Sequence, residues 1–339
     1  MNPAIQGLLT IVIGVGGCVA YYYFSNQFLD KVLYPPRGKN AGRNINRANM
    51  IRPWLFLAPA LIALGLYLAY PVVETLRLSL TERSTLPDGT TAYAFVGLDN
   101  YRQMASEPKF WEALTNNFLW LLIVPAFSTM FGLLAAQLTD RIGWGAIAKS
   151  LIFMPMAISF VGAAVIWKLV YDTRPIDQEQ IGVMNAIYLT MGGEEPITWL
   201  TIPFWNSILL MVVLIWIQTG FAMVILSAAL RGIPEETIEA AIVDGANPFQ
   251  VFFKIKIPQI SSTIVVVWTT ITIVVLKVFD IVFAMTNGQW ETQVLANYMY
   301  DKLFRANDWG VGSASAMVIM LLVSPILVWN VYNARKEMR

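Results

Sequence analysis

The 339-residue sequence has no histidine, a single cysteine and only 13% charged residues. Without histidine it lacks the side chain whose ordinary pKa lies near neutrality and the commonest metal ligand, so proton shuttling and metal catalysis are not expected. Lone Cys18 lies in an apolar stretch, which excludes an intrachain disulfide and reads as a small buried hydrophobe. Val15-Gly16-Gly17-Cys18 loosely resembles a lipoprotein cleavage site, but the positively charged start of a signal peptide is missing. A phosphate-binding loop is missing too: Gly38-Lys39 is followed by Asn40 and has no glycine upstream at the required spacing. The chain is therefore expected not to be an enzyme and to hold no cofactor. A formal net charge of +1 leaves no electrostatic case for nucleic acid, and no fixed-period repeat is visible.

What is present is apolar sequence: 57% of residues are hydrophobic and the mean hydropathy is +0.57. A bilayer core needs about twenty predominantly apolar residues per helix. Seven segments qualify, approximately 4–24, 54–76, 117–139, 149–171, 205–229, 263–285 and 313–333. They are too long for barrel strands and lack strict alternation, so an all-α polytopic membrane protein is expected. Lysine and arginine are retained on the cytoplasmic side. Fourteen fall on one side of these spans: in 25–53, at Arg141 and Lys149, at Arg231, Lys254 and Lys256, and at Arg335, Lys336 and Arg339. Six fall on the other side: Arg83, Arg102, Lys109, Arg174, Lys302 and Arg305. The first side, with the C-terminus, is expected in the cytoplasm, and seven spans put the N-terminus outside.

Pro35-Pro36 and several Gly and Asn residues mark 26–53 as a flexible cytoplasmic linker, setting an N-terminal transmembrane helix at 1–25 apart from a six-helix core. Between the fifth and sixth spans, residues 230–262 predict a small folded unit. Gly232 can end the preceding helix, and Pro234 with Glu235 and Glu236 can open a short helix reaching Asp244. Gly245 lets the chain turn back, Asn247 is an N-cap, and Pro248 opens a second helix carrying Phe249, Phe252 and Phe253. Apolar side chains on a charged loop mark a contact surface.

Glu239-Ala240-Ala241, three residues, Gly245, nine residues and Ile255-Lys256-Ile257-Pro258 resemble the signature loop of permeases of ATP-binding-cassette importers, with Ile257 where leucine is usual. The resemblance implies a six-helix type I permease core and an ATPase-coupling role for Glu239, Ala240, Ala241, Asp244, Gly245, Ile255, Ile257 and Pro258. It implies a first core helix and outside loop at 54–112, a permease domain at 113–334 and a cytoplasmic tail at 335–339. It further implies a second permease subunit, two copies of an ATPase subunit that binds the ATP, and an extracytoplasmic substrate-binding protein, in a bacterial inner membrane. The stretches Phe95 to Tyr101, Phe110-Trp111, Trp167 to Tyr171, Trp199-Leu200 and Leu276 to Asp280 are similar to the carbohydrate-uptake branch, of maltose, trehalose and α-glucoside type.

A sugar pathway needs aromatic faces and hydrogen-bonding groups in a wet cavity. Trp216, Gln218, Thr219 and Phe221 near the middle of the fifth span are candidates. So are Lys277 and Asp280 in the sixth, three apart and hence on one helix face, because charges at membrane depth are costly and usually functional. Competing readings stay open: Lys277 and Asp280 as a structural ion pair, and Trp216 as simple packing. Asn116 and Asn117 read as caps or interfacial residues, and Trp54, Trp199, Trp205 and Trp329 as aromatic-belt residues. A glycerol phosphate cargo, a secondary transporter and a non-transporting scaffold are the alternatives. Sparse intramembrane acids and the missing inverted repeat disfavour the secondary transporter.

Overall fold

The structure, a computed structural model, describes residues 3–37, 41–85, 91–140 and 142–337. Gly38, Lys39, Asn40, Arg141 and Arg339, invoked above, lie outside them. The chain divides into two compact units, Met1–Glu74 and Thr75–Arg339. Among the described residues five helices are long and apolar enough to cross a membrane, or up to seven if each of two bent pairs is one span.

The first unit contains α1 (Pro3–Phe28), a π-helical turn at Leu29–Leu33 and α2 (Ala41–Leu64), which passes through a second π-helical turn, Gly65–Ala69, into α3 (Tyr70–Ser79), within which the unit boundary falls. The segment read as a flexible linker is thus largely helical. Its fixed geometry comes from pairing: the Asp30 carboxylate accepts two bonds from the Arg52 guanidinium, at 2.7 and 2.9 Å, and Asn26 accepts a third at 3.0 Å. Cys18, expected to be buried, is exposed on α1.

Two prolines, Pro53 and Pro59, lie inside α2. Proline has no N–H, so Pro59 leaves the carbonyl of Leu55, four residues earlier, without its helical donor. The Tyr21 hydroxyl of α1 donates to that carbonyl at 2.9 Å, and the Tyr22 hydroxyl donates to the next one, of Phe56, at 3.2 Å. In hydrocarbon no water can take this place, and interhelical hydrogen bonds there contribute about 0.6 kcal/mol on average. Tyr21→Phe is therefore expected to speed amide exchange across residues 54–64 about threefold. In a Pro59→Ala background, where the new alanine supplies the missing N–H, the same change should have no effect; equal acceleration in both backgrounds would refute the pairing.

After the end of α3 the second unit carries a short two-stranded antiparallel ribbon, β1 (Thr81–Thr85) and β2 (Thr91–Phe95), in an otherwise helical fold. Helices α4 (Asp99–Ser106), α5 (Pro108–Thr139), α6 (Gly145–Phe153), α7 (Phe160–Val170), α8 (Val183–Thr190) and α9 (Trp205–Arg231) follow. Then come α10 (Glu235–Val243), α11 (Pro248–Gln259), α12 (Ser261–Leu276), α13 (Asp280–Met285), α14 (Leu295–Tyr300) and α15 (Trp309–Glu337).

Its core is the crossing of α5 and α9, with Trp120, Val124, Leu210, Met211, Leu214 and Met223 buried. Small residues set the spacing, as packing in membranes requires. A Cβ on Gly132 would lie 2.4 Å from Ala222 Cβ and 2.8 Å from the Met223 amide nitrogen, and one on Gly220 would lie 2.7 Å from the Ile152 carbonyl oxygen. Lys149 of α6 reaches Asp140 and, at 2.7 Å, the Ser227 hydroxyl, tying the ends of α5, α6 and α9 together.

Two spans expected to be continuous are broken. Within 149–171 the chain bends by 105° between Gly145–Ala157 and Phe160–Val170. Pro155 tightens the end of the first piece, and the Ser159 side chain caps the second by accepting from the Gly162 amide at 3.1 Å. Within 263–285 the helix stops at Leu276 and restarts at Asp280.

Candidate functional site

The loop between α9 and α12 is a preorganised helix-turn-helix. Helix α10 carries Glu235 and Glu236 in its first turn, where the helix dipole favours negative charge. It ends in a Schellman motif: the Gly245 amide donates to Ile242 at 3.0 Å and the Ala246 amide to Ala241 at 2.9 Å. Gly245 has φ +84°, a left-handed conformation that costs other L-residues roughly 1–2 kcal/mol. Two residues on, Asn247 and Gln250 form a reciprocal capping box, with both bonds at 2.9 Å. Gly232, expected to end α9, does so with ordinary right-handed geometry.

Ile233, Ile238 and Ile260 seat this unit on the core around α9, and the Lys256 ammonium donates to Gln137 of α5 at 3.3 Å. Its outer surface is apolar: Ile242, Val243, Phe249 and Phe253 are 58%, 86%, 76% and 59% exposed. Glu239, Ala240, Asp244, Gly245 and Pro258 are exposed beside them, Ile255 and Ile257 are half-buried, and Ala241 is buried. Glu239 makes no ion pair among the described residues. A rigid, apolar, partly acidic surface of this kind is shaped for a protein partner.

The break between α12 and α13 changes the reading of Lys277 and Asp280. They do not share a helix face and make no ion pair among the described residues, because three non-helical residues separate the two helices. Lys277 lies just past the C-terminus of α12 and Asp280 in the first turn of α13, so each charge meets the helix end whose dipole suits it. Lys277 borders a cavity of about 350 Å³ lined by Phe279, Ala296, Met299, Tyr300, Ala316 and Ile319. Lys277 and Asp280 also flank a small void with Phe160 and Leu214. Interrupted helices whose ends face a cavity are a common way to place polar groups inside a membrane.

Gln218 lies one helical turn beyond Leu214 on the same face of α9. It is 7% exposed and makes no hydrogen bond among the described residues, yet its amide is not among the sealed unpaired groups, so the tip opens onto accessible space. The other candidates on α9 are satisfied locally. Trp216 packs edge-on against Trp167 of α7 at 5.7 Å, the Thr219 hydroxyl donates to the Ile215 carbonyl at 2.7 Å, and Phe221 packs against the core.

Asn116 and Asn117, read from the sequence as caps or interfacial residues, belong with Asn185 and Asn206, which the sequence did not single out, to a set of structural amides. Asn116, Asn117 and Asn206 hold the backbone of 290–295. Asn185 pins 172–199 through the Asp172 and Ile197 carbonyls and the Trp199 indole N–H, so Trp199 is a hydrogen-bonded loop residue. Trp54, Trp205 and Trp329 remain exposed, as a lipid belt requires. The available signal was an amide side chain at the end of an apolar helix, where an unused polar group is expensive. On α14, burial and then the hydrogen bond to Glu107 push the Tyr298 phenol well above its usual range, keeping it a neutral donor.

Apolar spans around a glycine-tight crossing, two broken spans, one of them interrupted between Lys277 and Asp280, and a rigid helix-turn-helix with an apolar outer surface at the end of α9 are the features of a membrane permease subunit. The chain belongs to the family described as binding-protein-dependent transport system inner membrane component, whose model matches residues 13–336. It is therefore a multi-pass inner-membrane permease. It is 62% identical to the alpha-glucoside transport system permease protein AglF of Rhizobium meliloti, over 99% of each chain. It is 46% identical to the osmoprotective compounds uptake permease protein GgtC of Synechocystis, over 84% of this chain and 100% of that one. The fold matches a bacterial ABC transporter involved in import of the acidic polysaccharide alginate, with TM-score 0.71, 20% identity and coverage of 89% of this chain and all of that one.

Proposed function

We propose that this chain forms one half of the transmembrane pathway of an ATP-driven importer for an α-glucoside type of carbohydrate. The observation that carries the reading is the apolar helix-turn-helix at Glu235–Gln259, seated rigidly on the core, together with 62% identity to an α-glucoside permease along the whole chain. A second permease completes the pathway, two copies of an ATPase subunit dock on the loops, and a binding protein delivers sugar. The permease holds no nucleotide; ATP is bound and hydrolysed by the docked subunits. The lysine and arginine asymmetry supports placing this loop and the C-terminus in the cytoplasm and the N-terminus outside. Closure of the ATPase pair moves the loop through Gly245 and the Ile233–Ile260 seat, tilting α9 and α12 to turn the cavity outward; hydrolysis lets it return.

Gln218, Lys277 and Asp280 are the side chains on this pathway best placed to exchange hydrogen bonds with sugar hydroxyls; Trp216, Thr219 and Phe221 shape its wall. Among the described residues Lys277 is the cation lining these cavities, which fits a neutral polyol better than a glycerol phosphate. The 46% identity to an osmoprotectant permease supports a second reading, a small neutral osmolyte as cargo. Reconstitution of the four-part complex in proteoliposomes tests both: an α-glucoside should stimulate ATP hydrolysis and accumulate inside, and uptake driven by an ion gradient without ATPase would overturn the assignment. Asp280→Asn should lower the maximal uptake rate about tenfold at unchanged binding-protein affinity, read by titrating loaded binding protein.

A further inference from the structure

The segment between α13 and α14 is held in a conformation that its residues do not favour. Asn287, Trp290 and Glu291 have φ of +55°, +53° and +64°, and Gly288 has +70°. For the non-glycine residues this geometry costs about 1–2 kcal/mol each, and it persists only where surroundings over-determine it. They do so here. The Asn116 amide donates to the carbonyls of Glu291 and Gln293 at 2.8 and 2.9 Å, and the Asn206 amide to the carbonyl of Trp290 at 2.6 Å. Asn117 accepts from the Leu295 amide at 2.7 Å, Glu112 from the Gln293 amide at 3.2 Å, and Lys109 donates to the Gly288 carbonyl at 3.1 Å. A Cβ on Gly288 would lie 2.1 Å from Gln293 Oε1, so the segment is locked from inside as well.

All this holds out a short tip. Gln289 and Glu291 are exposed, and Trp290, its carbonyl fixed, leaves 46% of its surface free. The tip lies at the opposite end of the α12–α13 segment from the docking loop, next to the ends of α5 and α9, so the proposed orientation puts it outside, at the mouth of the pathway. A tryptophan flanked by an amide and a carboxylate on a rigid support loses little entropy on binding and has hot-spot chemistry. We propose that Gln289-Trp290-Glu291 is a fixed anchor for the sugar-loaded binding protein, with Asn116, Asn117 and Asn206 as positioning residues. This rests on the proposed function and the orientation given there.

The test titrates the assembled transporter, in lipid nanodiscs, with binding protein loaded with an α-glucoside disaccharide, reading ATP hydrolysis. Trp290→Ala should raise the half-saturating binding-protein concentration about thirtyfold with the maximal rate within twofold, and Trp290→Phe should recover most of that loss. Asn206→Ala should act in the same direction, about tenfold, by releasing the Trp290 carbonyl. An unchanged half-saturation in correctly assembled Trp290→Ala complex overturns the inference, as does a fall in maximal rate alone, which would make the tip a gate or a bilayer-belt residue. If the parent complex shows no sugar-dependent stimulation, the proposed function itself falls, and this anchor with it.

Discussion

Replacing Gly245 with aspartate is expected to abolish uptake while leaving the permease inserted in the membrane. The φ of +84° alone does not produce that result, since aspartate and asparagine tolerate left-handed backbone better than other side chains, and a Cβ at this position would meet no other atom within 4 Å. What the substitution adds is a carboxylate on a surface that the proposed function desolvates against the ATPase. An unpaired charge buried at an interface costs about 3 kcal/mol or more, roughly a hundredfold in coupling. Gly245→Asn is the control: it keeps the backbone preference without the charge and should retain a substantial part of transport. Comparable loss in both variants, with both assembled, would show that the turn itself and not a docked surface is at stake; wild-type uptake in the aspartate variant would sink the coupling role.

Gly132→Val is expected to have the largest effect on folding. The β-carbon it introduces would be 2.4 Å from Ala222 Cβ and 2.8 Å from the Met223 backbone nitrogen, so α5 and α9 must separate rather than a side chain swing aside. Overpacking of this kind costs several kcal/mol, and here it falls on the crossing that buries Trp120 and Met223. The yield of monodisperse, correctly assembled transporter after detergent extraction should fall at least tenfold. Gly132→Ala should fall less, and Ala222→Gly in the same chain should restore part of the loss, because it removes the atom met first. Gly16→Ala, on a helix where an added Cβ meets nothing within 4 Å, should leave the yield unchanged.

The local fold of the loop between α9 and α12 was the most legible part of the molecule, and the reason is locality. Pro234, Gly245, Asn247 and Pro248 act through their own backbone and that of residues within a few positions, so the observed Schellman motif and capping box can be read from neighbouring residues alone. Lys277 and Asp280 were legible as polar residues at membrane depth but not as ends of two helices. The interruption lies in a Leu-Lys-Val-Phe-Asp stretch with neither proline nor glycine, so no local breaker announces it. The mismatch at 26–53 runs the other way, since glycine, asparagine and two prolines suggest a loose linker. There Arg52 and Asp30 fix a hairpin between residues 22 apart, a contact that no local rule reports.

Composition and periodicity by themselves determined that this protein is a helical membrane protein and roughly where its spans fall, because hydrocarbon admits only long self-satisfied helices, and the motif at Glu239 to Pro258 added its resemblance to importer permeases. Only the tertiary structure decided which polar side chains face space and which are spent on backbone. Gln218 has an open amide while Thr219 is bonded to its own helix, and Asn116, Asn117 and Asn206 reach across from two helices to hold one distant loop. Those assignments depend on contacts between residues up to 178 positions apart, and a partner at that distance leaves no trace in the spacing of nearby residues.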